Sequence, residues 1–249
     1  MNKMIMALTL LFIILIVQGC KENMQYEPKD FFDGQQLKIA QIIYDGNEEQ
    51  LSQKLMTVSK DELNRPAKAE MTLLFWSVLN STWDDTAPAR LKIITDLVKA
   101  GADPLQPRSE GGSSPAEFVL QGDKGIWIKA MLDGGLSPDA RNTAFDKPII
   151  FEALKAKNTE TLKVMLESGA DINARGAMER TLLINALYAG KIDHIKLLLV
   201  KGADPQLCDS FDEDFVFLIN KEISLKDNNN EYVKSLIQIR DTMLPNSPE

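Results

Sequence analysis

The amino-acid sequence predicts an all-α solenoid of about six helix–turn–helix units joined by short hairpins or loops. Three observations predict it. Four stretches end alike, Leu97–Pro104, Met131–Pro138, Met165–Ile172 and Leu198–Pro205, and their aligned glycines, Gly101, Gly135, Gly169 and Gly202, give steps of 34, 34 and 33 residues. A fixed step of this size is the signature of stacked repeats. A second marker stands twenty-one residues before each of the last three glycines: Ser114-Pro115-Ala116, Pro148-Ile149-Ile150 and Thr181-Leu182-Leu183. Between the markers, apolar residues recur at helical spacing on either side of a turn such as Ala189-Gly190-Lys191.

The chain begins outside this pattern. Lys3 supplies a positive charge, and Met4–Val17 is apolar apart from Thr9. This run is shorter than the roughly twenty residues of a membrane-spanning helix. It reads as the hydrophobic core of a secretory signal covering residues 1–19. The run ends in Val17-Gln18-Gly19-Cys20, which resembles the lipobox of bacterial lipoproteins, with Gln18 in place of the usual small residue. The resemblance implies that the Cys20 sulfur is alkylated by lipid and that Cys20 becomes the mature N-terminus. Residues 20–30 are polar, contain Pro28, and are expected to act as a tether. Ten extended residues reach at most about 35 Å. By resemblance to enterobacterial lipoproteins, Lys21 after the cysteine favours the outer membrane over the inner one.

The repeat domain is expected over 31–242, with the clear repeats within 72–205 and a disordered tail over 243–249. Leu37–Tyr44, the Asp45-Gly46-Asn47 turn and Leu51–Val58 form a degenerate first unit. Phe215–Ile223 and Tyr232–Ile239, separated by the polar Asp227–Asn230 turn, form a degenerate last one. Terminal units need a polar outer face, which accounts for their departure from pattern. In the clear units, Ser114 and Thr181 supply side-chain oxygens that cap a helix. Pro115 sits at a first helical position, where its missing N–H is harmless. The closing glycines suit the left-handed conformation that ends a helix. The Thr72 unit carries eight extra residues around Asn80–Pro88, and insertions in solenoids map to loops. Trp83 on that loop is either a partner anchor or a side chain folded back over the helices.

These units resemble the ankyrin repeat, whose pattern is T-P-L-H-x-A-A, a helix, a turn, a second helix, then G-A-D-P/V-N. The match is strongest in Arg180–Ala203 and Pro148–Ala174 and weaker in Ser114–Asp139 and Thr72–Pro104. Phe75, Glu117, Phe151 and Ile184 replace the structural histidine of that pattern. The resemblance implies a module that binds another protein. Ankyrin lipoproteins of this kind also resemble immunity proteins encoded beside secreted antibacterial toxins, including phospholipases delivered by the type VI system. A scaffold for an endogenous envelope protein is the alternative role.

Composition restricts the chemistry. The chain has 28 Lys and Arg against 36 Asp and Glu, a formal charge of −8, and loss of residues 1–19 removes one lysine to leave −9. An acidic balance argues against nucleic acid as a partner. Of the two cysteines, a lipidated Cys20 leaves Cys208 without a disulfide partner. His194 is the single histidine, and it falls inside a second helix, so no Ser-His-Asp constellation is expected. There is no P-loop, G-x-S-x-G or H-E-x-x-H motif. No cofactor or metal is expected, and the protein is not expected to be an enzyme. A hydrolase built on carboxylates such as Asp84-Asp85 or Asp212 and Asp214 is the least favoured reading.

The connecting segments carry the candidate partner-binding residues. Arg108, Arg141 and Arg175 recur after the Gly-Ala-Asp element, and Phe145, Met178, Arg180 and Phe211 share those segments. Gln121, Lys155 and Tyr188 fall on first helices, at positions that the ankyrin resemblance assigns to the concave groove. Arginine and aromatic side chains are favoured at interface hot spots.

Overall fold

The computed structural model describes residues 26–83, 88–108, 112–226 and 230–244. The signal segment, Cys20, the first part of the tether, Asp84-Asp85 and residues 245–249 lie outside the described residues, as does the side chain of Trp83. The described elements are helices α1 (Gly34–Asp45), α2 (Glu48–Leu55), α3 (Lys60–Asn64), α4 (Leu73–Trp83), α5 (Pro88–Lys99), α6 (Pro115–Leu120), α7 (Ile126–Asp133), α8 (Glu160–Glu167), α9 (Leu182–Tyr188), α10 (Ile192–Val200), α11 (Phe215–Ser224) and α12 (Glu231–Met243). A 3₁₀ helix, Ile149–Lys155, precedes α8. Among the described residues the only β pairing is two isolated bridges, Arg141 with Pro148 and Arg175 with Thr181. The all-α solenoid read from the sequence is therefore the observed architecture.

Each repeat closes in the same way. Gly101, Gly135, Gly169 and Gly202 have φ of 104°, 111°, 94° and 92°. At the first of these turns Gly101 N–H donates to Val98 O and Ala102 N–H to Leu97 O, and the pairs 135/132 and 136/131, 169/166 and 170/165, and 202/199 and 203/198 repeat the arrangement. Both bonds satisfy helix-end carbonyls that would otherwise be orphaned. The aspartate that follows has its own task. Asp103, Asp171 and Asp204 accept from the backbone N–H two residues on, at 2.8–2.9 Å. This is a local turn that Asp favours. The turns are also laced together along the stack, because Asp171 N–H donates to Asp139 Oδ1 and Asp204 N–H to Asn173 Oδ1.

The helix starts are less uniform. Thr72, Ser114, Thr181 and Asp214 each accept from the N–H three residues on. Pro148 occupies the same register and has no side-chain oxygen to offer. Its unit opens with the 3₁₀ helix, in which Phe151 N–H turns back to the Pro148 carbonyl instead.

Two expectations need correction. Among the described residues of the Thr72 insertion, Asn80–Trp83 belong to α4 and Pro88 starts α5, helices of 11 and 12 residues against 7 and 9 in α9 and α10, while residues 84–87 lie outside the described residues. The added turns are satisfied and buried. Ser77 and Ser81 hydroxyls donate to carbonyls three residues back, Asn80 donates to Trp76 O, and Met71–Ser81 is buried throughout. The tether also ends earlier than expected. Pro28 is buried, and the Tyr26, Phe31, Phe32, Tyr44 and Trp76 rings form one cluster in which Trp76 Nε1 donates to Ala40 O. Residues 26–30 thus belong to the first unit and close its outer face. At the other end α12 continues through Met243, and Leu244 is buried.

One apolar core runs through the stack from Phe32 to Leu244. Helix α4 packs on α1 and α5, α5 on α7, α6 on the 3₁₀ helix, α9 on α10 and α11, and α10 on α12. Each unit contributes a fully buried residue at the same register of its second helix: Leu97, Met131, Met165 and Leu198.

Candidate partner-binding surface

The first helices carry one repeated outward position, seven residues after each cap register: Gln121, Lys155, Tyr188 and, one unit further on, Lys221. Leu79, at that register in the Thr72 unit, is buried. The row has a polar half and an aromatic half. In the polar half, Gln121 Nε2 donates to Glu152 Oε2 at 3.0 Å, Lys155 Nζ lies 2.5 Å from the same oxygen and Lys147 Nζ 3.4 Å from Oε1. Burial by itself would raise the Glu152 carboxyl, but the hydrogen bonds and charges of Lys155 and Lys147 outweigh it and hold the group below the usual carboxylate range.

The aromatic half is built around Arg180. Its guanidinium lies 4.3 Å from the centre of the Tyr188 ring and 5.9 Å from that of Phe211. Arg180 Nε is 3.3 Å from Asp209 Oδ2. The Asp209 side chain is fully buried and accepts from the N–H groups of Phe211 and Glu213. Burial opposes its ionisation, yet the two backbone donors and Arg180 leave its carboxyl below the ordinary range. Lys221 extends the patch, with Nζ 5.5 Å from the Phe217 ring centre and 2.8 Å from Glu213 Oε1. Phe217 is 52% exposed, whereas Phe75, Phe151 and Ile184 at the same register are at most 4% exposed. In earlier units the following unit covers this position, as Phe118 covers Phe75 with ring centres 5.1 Å apart. After α12 no further unit follows among the described residues.

The candidate residues thus separate into groups. Arg180, Tyr188 and Phe211 come together. Met178 joins them through the chain, since its carbonyl accepts from Ser210 N–H, and its exposed side chain stands on a turn where Met178 and Glu179 have φ of 58° and 56°. Arg141, held by Asp146 at 2.9 Å, and the exposed Phe145 occupy a separate hairpin. Arg175 is a staple: its Nη1 donates to Glu179 O and to Cys208 O of the next connection, both at 2.7 Å. Arg108 is also packed inward, over the Phe75 ring at 4.6 Å with Nη2 donating to Ala69 O. Sequence reasoning missed Lys221, Phe217 and Asp209. The register of Gln121, Lys155 and Tyr188 points to Lys221, and Phe217 is exposed because no further unit covers it among the described residues. Nothing in the sequence marks Asp209 as buried.

Other candidate chemistry is placed structurally. Asp214 caps α11. His194 is buried between α10 and the 3₁₀ helix, and its Nε2 has no partner among the described residues. Cys208 is exposed and free. Among the described residues no three His, Cys, Asp or Glu side chains are grouped to hold a metal, and no helix is long and apolar enough to cross a membrane.

Similarity to known proteins agrees with this geometry. The ankyrin repeat domain of Bcl-3 superposes with a TM-score of 0.62, covering 85% of this chain and 86% of that one at 20% identity. EF0377, an ankyrin repeat protein, gives 0.54 over 80% and 96% at 22% identity. The fold is the ankyrin-repeat solenoid. No family profile matches the chain. A putative ankyrin repeat protein of Acanthamoeba polyphaga mimivirus is 33% identical over 82 residues, which is 32% of this chain and 50% of that protein. The mitochondrial disaggregase of Bos taurus is 35% identical over 75 residues, 30% of this chain and 10% of that protein. The human transient receptor potential cation channel subfamily A member 1 is 28% identical over 102 residues, 41% of this chain and 9% of the channel. The matched region spans half or less of each of these relatives.

Proposed function

We propose that this chain is a lipid-anchored, periplasm-facing ankyrin module that binds another protein, and that the bound protein is a toxic effector which it neutralises. One observation carries the binding reading. Arg180, Tyr188, Phe211, Phe217 and Lys221 are assembled from two connections and two helices into an aromatic and cationic surface patch. Exposed clusters of this composition mark interaction sites. The anchor rests on Lys3, the apolar run Met4–Val17 and the Gly19-Cys20 junction, and Lys21 favours the outer membrane. The effector reading rests on the resemblance to immunity lipoproteins. The geometry suits an anchored receptor. Tyr26 to Phe32 close the first unit, while the aromatic patch sits between the fifth and sixth, on the order of 40 Å along the stack at about 10 Å per packed helix layer. A partner seated there is remote from the tethered end of the stack.

The test is expression of the neighbouring gene product, directed to the periplasm, in cells with and without this chain. Protection is expected with the parent chain and lost in Arg180→Glu/Lys221→Glu, with the helical circular dichroism signal retained. A neighbouring product that is harmless to unprotected cells overturns the effector reading. The chain would then be a scaffold for an endogenous envelope protein.

A further inference from the structure

Charge along the first-helix row is layered in depth. The acidic members are the buried ones: the side chains of Glu152, Asp209 and Glu213 are 8%, 0% and 23% exposed. Their cationic partners stand outward: Lys155, Lys221 and Lys147 are 58%, 49% and 36% exposed. Each of these carboxylates holds the charged group of a more exposed lysine or of Arg180. Arg180, with its side chain 24% exposed, is the most enclosed of these cations. Asp209 takes Nε, the Tyr188 and Phe211 rings flank the guanidinium, and among the described residues Nη1 and Nη2 have no protein partner. A guanidinium held at Nε and presenting two parallel N–H groups is preorganised to accept a carboxylate bidentately. Beside it the Tyr188 and Phe211 rings, and next to Lys221 the Phe217 ring, offer apolar area that loses little conformational entropy on binding. The surface met by a partner is therefore cationic and aromatic, although the whole chain carries a formal charge of −8.

We infer that this row receives an acidic segment of the partner protein: carboxylates on Arg180, Lys155 and Lys221, with apolar or aromatic side chains between them against Tyr188, Phe211 and Phe217. The inference rests on the protein-binding reading above and specifies the chemistry of the partner. It is independent of whether that partner is a toxin. Specificity follows from the same layering. The acidic outer surface repels an indiscriminately acidic protein, so only a segment that reaches the row with apolar side chains between its carboxylates gains both contacts.

The experiment is selection of random twelve-residue phage-displayed peptides on the full-length chain in detergent micelles. Fluorescence anisotropy of the enriched peptides, made with a fluorescent label, follows. Enriched peptides are expected to carry at least two Asp or Glu with interspersed Leu, Phe, Tyr or Trp. Replacing their acids by Asn or Gln should weaken binding at least tenfold. Arg180→Gln should do the same in the protein. Because that change leaves the buried Asp209 without its cation, Lys155→Gln/Lys221→Gln serves as the second variant, with both changes at exposed side chains. Lys129→Gln/Lys163→Gln, on second helices, should leave affinity within twofold. Failure to enrich peptides, enrichment of basic or uncharged ones, or indifference to the row variants overturns the inference. So does equal competition by heparin or a single-stranded oligonucleotide, which would mark a general polyanion surface. A chain that protects against its neighbouring toxin but shows no acid-dependent peptide binding retains the function and loses this inference. Acid-dependent binding beside a harmless neighbour does the reverse.

Discussion

His194 is a buried titratable side chain within α10. It is 1% exposed, with the backbone of Ala153 and Asn158 against it and Nε2 unpartnered among the described residues. Burial pushes its pKa below the ordinary 6.5, so the folded chain holds it neutral. Between that lowered value and 6.5 the unfolded chain binds a proton that the folded chain does not. The contribution is therefore fully present above about pH 6.5 and is lost as pH falls below it. Asp209 and Glu152 act in a lower window: their depressed carboxyls stabilise the fold above the ordinary carboxylate range, and that contribution disappears under stronger acid. As the chain has one histidine, its ring resonances in an NMR titration report on it directly. They are expected to titrate below 6.5, and stability to urea should decline between pH 7 and 5.5. A ring that titrates at 6.5 or above would refute this account.

At the scale of elements, turn chemistry makes two opposed predictions. Met178 and Glu179 lie in left-handed backbone conformation without being glycine, which costs about 1–2 kcal/mol per residue. Glu179→Gly relieves one of them. After the extra freedom it gives the unfolded chain, the net gain should be about 0.5–1 kcal/mol, or about 1–4 °C in Tm. Gly169 is the converse. Its φ is 94°, and a Cβ there would meet nothing within 4 Å, so Gly169→Ala isolates backbone strain from steric clash. A loss of about 1 kcal/mol is expected by calorimetry. An unchanged Tm in both variants would mean that neither turn is conformationally constrained. Arg175 belongs at this scale as well. Because it bonds two carbonyls across successive connections, its replacement should loosen the hairpins, and Arg180 and Lys221 are cleaner probes of binding.

On the scale of the whole molecule, stability is shared between neighbours, since each unit leaves an apolar face that only the next unit covers. Leu198 is fully buried in α10, between α9 and α12. Leu198→Asp places an uncompensated charge there and should cost roughly 3–5 kcal/mol, measured by urea denaturation with helical circular dichroism. A variant as stable as its parent is incompatible with a continuous core. The proposed lipid anchor is tested separately. Cys20→Ser should abolish incorporation of labelled fatty acid and leave unprocessed precursor, whereas a parent chain that takes up no label and is recovered soluble from the periplasm is not a lipoprotein.

The sequence by itself determined the period, the helix pairs, the closing glycines and the capping residues, because each is set by local backbone chemistry that recurs every 33 or 34 residues. It also singled out Arg180, Tyr188 and Phe211 by their types in connecting or outward positions, and the fold brings these three together. Tertiary structure decided the rest. The described residues at the insertion, Asn80–Trp83 and Pro88, are helical, and α4 packs on α1. Residues 26–30 joined the fold because Trp76 and its neighbouring rings needed an outer cover. Arg108 and Arg175 look like exposed recognition residues in sequence, but each spends its donors on a carbonyl of another connection. Asp209 is indistinguishable in sequence from the solvated acids around it. Only the convergence of two backbone N–H groups and Arg180 buries it as an ion. Phe217 repeats a core register, and it is exposed because no further unit covers it among the described residues, which is a property of the packing and of no single repeat.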